Sequence, residues 1–183
     1  MKTSIAQVLI DEKQIDSITR NIAAQISKDY KGKDLAVVVL LKGSFIFAAD
    51  IFRRLTVPCA VDFMAASSYG NQTVSTGKLN ITKDICLDIA DKDVLIIDDI
   101  MDSGLTMSRI CAYLQERNPS SIKTCVLLDK PDRRTVDIQP DYIGAVIPDR
   151  FVVGYGLDFD EHYRNLPYIA VLSVESDTSD DYD

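Results

Sequence analysis

The run Val94-Leu95-Ile96-Ile97 leading into Asp98-Asp99 limits the fold of this chain more than any other feature. Apolar residues without alternation make a strand buried on both faces, which belongs in the parallel sheet of an α/β protein. Just beyond the two acids stands Asp102-Ser103-Gly104-Leu105-Thr106, followed by a helical pattern. Ligands of parallel sheets bind at the carboxyl ends of strands. Here that position holds acids, a glycine, hydroxyls and the first-turn amides of a helix. Such amides, with the helix dipole, suit a phosphate, and paired carboxylates suit ribose hydroxyls or a metal ion. Together they describe a site for a phosphorylated sugar.

Taken alone, residues 102 to 106 read as a loop in which Ser103 or Thr106 caps the helix. The strand and the adjacent acids argue against that reading, because neighbouring carboxylates repel each other unless something cationic or hydroxylic engages them. The whole string from 94 to 106 resembles the phosphoribosyl-pyrophosphate (PRPP) signature of the type I phosphoribosyltransferases.

The rest of the chain is consistent with a soluble α/β enzyme. At 183 residues it is one domain with room for a full core. No apolar stretch approaches the ~20 residues of a membrane span, and the N-terminus lacks the apolar core of a signal peptide. Cys59, Cys86, Cys111 and Cys125 lack CxxC spacing and read as buried thiols of a reducing, cytoplasmic compartment. A net charge of −8 disfavours nucleic acid as a partner. Periodicity predicts helices at 12–29, 45–55 and 105–117, and strands at 35–41, 57–64, 94–98 and 122–128. One or two further strands are expected at 78–89, with short ones near 141–146, 151–153 and 168–174. Strands separated by helices imply a parallel, doubly wound sheet. The polar segment 65–77 reads as a flexible loop or an active-site lid. The acidic end, 175–183, reads as disordered.

Further segments resemble the hypoxanthine-guanine branch of the same family, in the family's order. They are Leu41-Lys42-Gly43-Ser44-Phe45, Asp62-Phe63-Met64, Ser67-Ser68-Tyr69-Gly70, Lys130-Pro131-Asp132-Arg133-Arg134, and 147–158 with 163–168. The resemblance implies a type I phosphoribosyltransferase fold, a parallel sheet flanked by helices. It also implies a small hood made from the N-terminal segment and about 141–174, all within one domain, 1–174. It implies Mg²⁺-dependent transfer of 5-phosphoribosyl from PRPP to N9 of hypoxanthine or guanine, releasing pyrophosphate, in a homodimer or homotetramer.

Residue by residue, the resemblance gives Asp98 and Asp99 the ribose hydroxyls, and Asp102 the purine N7 as catalytic acid/base. Ser103, Gly104, Leu105 and Thr106 hold the 5′-phosphate. Leu41, Lys42, Gly43, Arg134 and Arg164 hold pyrophosphate, with a cis peptide at Leu41–Lys42. Lys130 donates to purine O6, Phe151 stacks on the base, and Val152 meets its Watson–Crick edge with backbone groups. Asp158 borders the purine site and ligates Mg²⁺, while Ser68 and Tyr69 belong to the lid. Asp98 stands where many relatives have Glu, and Arg150 where lysine is common. Arg133 reads as a surface residue, and His162 as a surface or packing residue with no catalytic part. Two other functions stay open at this level: a PRPP-sensing regulator on the same fold, and a phosphoribosyltransferase for another base such as xanthine. An intact Asp102, Lys130 and Phe151 disfavours the first.

Overall fold

Alternate residues of the two most apolar strands face opposite sides of one sheet, and both sides are covered. In the computed structural model, which describes residues 2–68 and 79–175, Val37, Val39, Leu95 and Ile97 pack with Ile15, Ile22, Ile26 and Phe47. Ala36, Val38, Leu40, Val94 and Ile96 pack on the other side with Met107, Ile110 and Leu114. Each such aliphatic side chain contributes about 1.5–3 kcal/mol by leaving water, so a charge at Val38 or Ile96 would break the sandwich.

The elements in order are β1 Lys2–Ile10, α1 Glu12–Asp29, β2 Leu35–Leu41, α2 Phe45–Phe52, β3 Cys59–Ser68, β4 Leu79–Lys83 and β5 Asp93–Met101. They continue with α3 Leu105–Gln115, β6 Ser121–Asp129, a 3₁₀ turn at Pro131–Arg133, β7 Tyr142–Val146, β8 Val152–Val153 and β9 Ile169–Glu175. Asp11 starts α1 with a reciprocal capping box to Gln14, at 2.8 and 2.9 Å. The main sheet has the order β4-β3-β2-β5-β6-β7, parallel except for the antiparallel edge strand β4. From β2 the chain steps to β3 on one side and later returns to β5 on the other. The carboxyl ends of β2 and β5 therefore flank a topological switch point, where such sheets open a crevice.

A second sheet, β1-β9-β8, forms the hood. Its largest strand, β1, was not expected from the sequence, because its exposed residues give it no buried face to announce. Tyr142–Val146, expected in the hood, instead extends the main sheet beside β6. The expected helix 45–55 ends at Phe52, and residues 65–68, expected in a loop, continue β3 against β4. Tyr69 and the rest of the expected loop, up to 77, lie outside the described residues. So does the acidic end except Glu175, which pairs with Lys2. All four cysteines are free, but only Cys125 is buried and Cys86 is exposed. Among the described residues no helix is long and apolar enough to cross a membrane.

Candidate active site

Strand β5 runs three residues beyond the expected 94–98, to Met101, so Asp99 lies inside it as well as Asp98. Each acid accepts the amide of the residue that follows it: Asp99 N donates to Asp98 Oδ1 at 2.9 Å and Ile100 N to Asp99 Oδ1 at 2.8 Å. Burial, reinforced by the Asp99 charge, pushes the Asp98 carboxyl well above the usual carboxylate range. Burial also raises Asp99, moderated by its hydrogen bonds to Asp98 and Ile100 and by the charge of Arg164. A cation beside the pair, or sugar hydroxyls donating to it, would favour its charged form.

Asp98 lines a small cleft of about 130 Å³ with Ile100, Met101, Asp102, Ser103, Gly104, Thr106 and Met107. Gly104 is the N-cap of α3 at φ +80, where only glycine is at ease. It brings no side chain to cover the first-turn amides, and among the described residues Ser103 Oγ accepts from Leu105 N at a long 3.4 Å. The capping that a lone loop would use is therefore weak, and the helix start remains suited to an anion. Two larger clefts, of about 320 and 700 Å³, lie against α1 and α2. The acids and arginines lining the first are largely paired with one another, as Arg54 is with Asp16 and Asp50.

The turn after β2 closes on the same point from the other side. The peptide Leu41–Lys42 is cis. Gly43 is packed so tightly that a Cβ there would stand 1.6 Å from Asp99 Oδ2, and one on Gly156 would stand 2.0 Å from Gly43 O. These contacts lock β2, β5 and the hood together. Lys42 Nζ donates to Glu161 at 2.9 Å. Arg164 donates to Gly156 O at 2.8 Å and lies 3.0 Å from Asp158 Oδ1 and 3.1 Å from Glu161.

Asp102 faces the remaining cations. Its Oδ1 is buried without a hydrogen-bond partner, 3.3 Å from Arg133 Nε and 3.9 Å from Lys130 Nζ. Lys130 is nearly buried and donates to Arg150 O at 2.8 Å. An acceptor and a donor thus stand side by side, as the adjacent N7 and O6 of an oxopurine require. Arg133, read from the sequence as a surface residue, bridges Asp102 and Asp149. Arg134, expected on pyrophosphate, is placed differently. Its guanidinium is spent on the Asp102 carbonyl and on the buried Asp129, so it braces the loop from behind.

In the hood, Phe151 is half exposed and meets Phe159 edge-on at 5.7 Å. Leu172 N donates to Phe151 O at 3.1 Å, which makes that the hydrogen-bonded pair of the β8–β9 ladder. By alternation, the N–H and C=O of Val152 point to the free edge. Asp158 stands at the rim, and among the described residues no group of three or more metal-ligating side chains occurs. One carboxylate fits Mg²⁺ in the way this ion is usually held, by few protein oxygens, substrate phosphates and water. His162 is exposed and bridges to Phe159 through its backbone. On β3, burial works to raise Asp62. Amides of Phe63, Leu87 and Cys86 and the Lys83 ammonium outweigh it and hold Asp62 down at about 2.

A parallel sheet with acids at its switch point, an uncapped helix start and a hood define a sugar-phosphate transferase. The chain belongs to the phosphoribosyl transferase domain family, whose model matches residues 8–160. It is 47% identical over 175 residues to a hypoxanthine-guanine phosphoribosyltransferase of Staphylococcus aureus, covering 96% of this chain and 98% of the relative. A crystal structure of a Staphylococcus aureus hypoxanthine phosphoribosyltransferase superposes with a TM-score of 0.89 at 48% identity, covering 92% of each chain. A Bacillus anthracis hypoxanthine-guanine phosphoribosyltransferase gives 0.88 at 42% identity, over 94% of this chain and all of the other.

Proposed function

We propose that this chain is a purine-salvage enzyme that moves the 5-phosphoribosyl group from PRPP to N9 of hypoxanthine or guanine, giving IMP or GMP and pyrophosphate. The observation that carries the choice of base is the Asp102–Lys130 pair, an acceptor and a donor 3.9 Å apart at the mouth of the sugar-phosphate cleft. Lys130 favours an oxo over an amino group at C6, since an ammonium accepts no hydrogen bond. Phe151 stacks on the ring, and Val152 reads its far edge through backbone groups.

Asp98 and Asp99 take the ribose hydroxyls, and the start of α3 with Ser103, Gly104, Leu105 and Thr106 takes the 5′-phosphate. Leu41, Lys42, Gly43 and Arg164 receive the diphosphate. As the C1′–O bond to pyrophosphate lengthens, positive charge builds on C1′, as in glycoside transfer. Asp102 accepts the proton from N7, so that electron density at N9 is available to form the new bond to C1′; such a group is worth typically ~10²–10⁴ in rate. Asp158 would hold Mg²⁺, which would supply positive charge beside the leaving diphosphate.

A cytoplasmic homodimer or homotetramer is part of the same reading. The test is a steady-state assay with PRPP, Mg²⁺ and each of hypoxanthine, guanine, xanthine, adenine and uracil, following nucleotide formation. Turnover confined to the 6-oxopurines supports the assignment. Equal use of adenine and hypoxanthine overturns the role of Lys130, and no turnover with any base leaves a PRPP-binding regulator.

A further inference from the structure

The two cations assigned to the diphosphate are already held by one carboxylate of the chain itself. Glu161 Oε1 accepts from Lys42 Nζ at 2.9 Å, and Oε2 accepts from Arg164 Nη2 at 3.1 Å. Lys42 comes from the turn after β2 and Arg164 from the hood, so a single side chain bridges the two parts of the molecule. The Glu161 amide also donates to Asp158 Oδ2 at 3.0 Å, which ties the proposed metal ligand to the same residue. Glu161 sits at φ +62, a conformation uncommon away from glycine. Its side chain is 61% exposed, so apolar packing does not account for its position. What holds it is the pair of cations, at 2.9 Å from Lys42 and 3.1 Å from Arg164.

We propose that Glu161 is an internal stand-in for pyrophosphate. In the empty enzyme its two oxygens occupy the anion subsite made by Lys42 and Arg164. PRPP must displace it to bind, and it re-engages the same cations as pyrophosphate departs. The inference rests on the assignment of Lys42 and Arg164 to the diphosphate. It adds that Glu161, which touches neither substrate in the reacting complex, sets how tightly the diphosphate is held. Without Glu161, Lys42 would have no anionic partner among the described residues, and Arg164 would keep only Asp158 and the Gly156 carbonyl. With it, each diphosphate that binds pays back only the difference between two anions.

The test is calorimetric titration of inorganic pyrophosphate, with Mg²⁺ present, into wild type, Glu161→Gln, Glu161→Asn, Lys42→Met and the Lys42→Met/Glu161→Gln double variant. Asn is included because it tolerates positive φ. Removing the competing carboxylate should tighten pyrophosphate about three- to tenfold, the scale of two exposed ion pairs. The KM for PRPP should fall by a similar factor while kcat does not rise. In the Lys42→Met background the gain should shrink, because one of the two contested cations is gone. Pyrophosphate binding that is equal or weaker in both the Gln and Asn variants overturns the proposal and makes Glu161 an organiser of its loop. Lys42→Met reports separately on the underlying assignment. If it leaves pyrophosphate affinity unchanged, the assignment of Lys42 fails; if it weakens binding while the Glu161 variants do not tighten it, the stand-in alone fails.

Discussion

Replacing Asp102 by Asn separates chemistry from architecture, because the structure gives the two effects very different sizes. Asparagine keeps the shape but removes the proton acceptor. The loss of one general base corresponds to ~10²–10⁴ in rate, or about 2.7–5.4 kcal/mol of barrier at 1.36 kcal/mol per decade. The structural cost is far smaller. At 3.9 Å from Lys130 Nζ, two unit charges attract by about 4 kcal/mol at an effective dielectric of ~20. Asp102 is 47% exposed, so solvent screening reduces this to about 1 kcal/mol or less. Lys130 also keeps the Arg150 carbonyl at 2.8 Å and Asp149 at 3.7 Å. The melting temperature should therefore move by no more than about 2–4 °C. The assay is a single-turnover measurement with saturating PRPP and hypoxanthine, which avoids a step limited by product release. A rate constant within tenfold of wild type, with the fold intact, would refute the role of Asp102 as acid/base.

Lys130→Met removes the donor to O6, so kcat/KM for hypoxanthine and guanine should fall by the ~1.5–3 kcal/mol of a charged hydrogen bond; unchanged values would remove Lys130 from the purine site. Arg134→Met breaks a buried pair with Asp129 and should cost about 3–5 kcal/mol of stability, read by chemical denaturation. Loss of pyrophosphate affinity with no loss of stability would instead restore Arg134 to the diphosphate. Asp98→Asn should abolish use of PRPP yet stabilise the ligand-free protein at neutral pH. The sign follows from the raised carboxyl: the folded state holds a proton that the unfolded state gives up near pH 4. Stability therefore declines as pH rises from there through the raised value, by about 1.4 kcal/mol per pH unit. Denaturation of wild type and variant from pH 4 to 8 should show that slope in the wild type and a shallower one in the variant; parallel curves would show that Asp98 is not the protonated partner.

Much of this architecture was legible because short-range pattern and long-range packing agree. The runs 35–41 and 94–97 carry no alternation, and both are buried on two faces. Helix α1 was placed to the residue because its isoleucine spacing and its stop before Gly32 coincide, and the Asp11–Gln14 box fixes the same start in the structure. Strand β1 failed for the opposite reason. Ile5 and Val8 remain exposed, and the strand exists through its ladder to β9, some 160 residues later, which no local window contains.

The candidate site divides along the same line. The 94–106 string is contiguous, so its acids, glycine and helix start could be assembled by eye. Arg133, Arg134 and Glu161 could not, because what distinguishes them is the partner and not the residue type. Arg133 and Arg134 are adjacent and chemically identical, yet one half-exposed guanidinium faces the Asp102 carboxylate while the other is buried against Asp129. The 3₁₀ turn at Pro131–Arg133 makes that division, turning the chain between them so that consecutive side chains leave in different directions. A motif therefore identifies which cations a site contains. Backbone geometry decides which of them remain available to a ligand, and Glu161 holds two of them, Lys42 and Arg164.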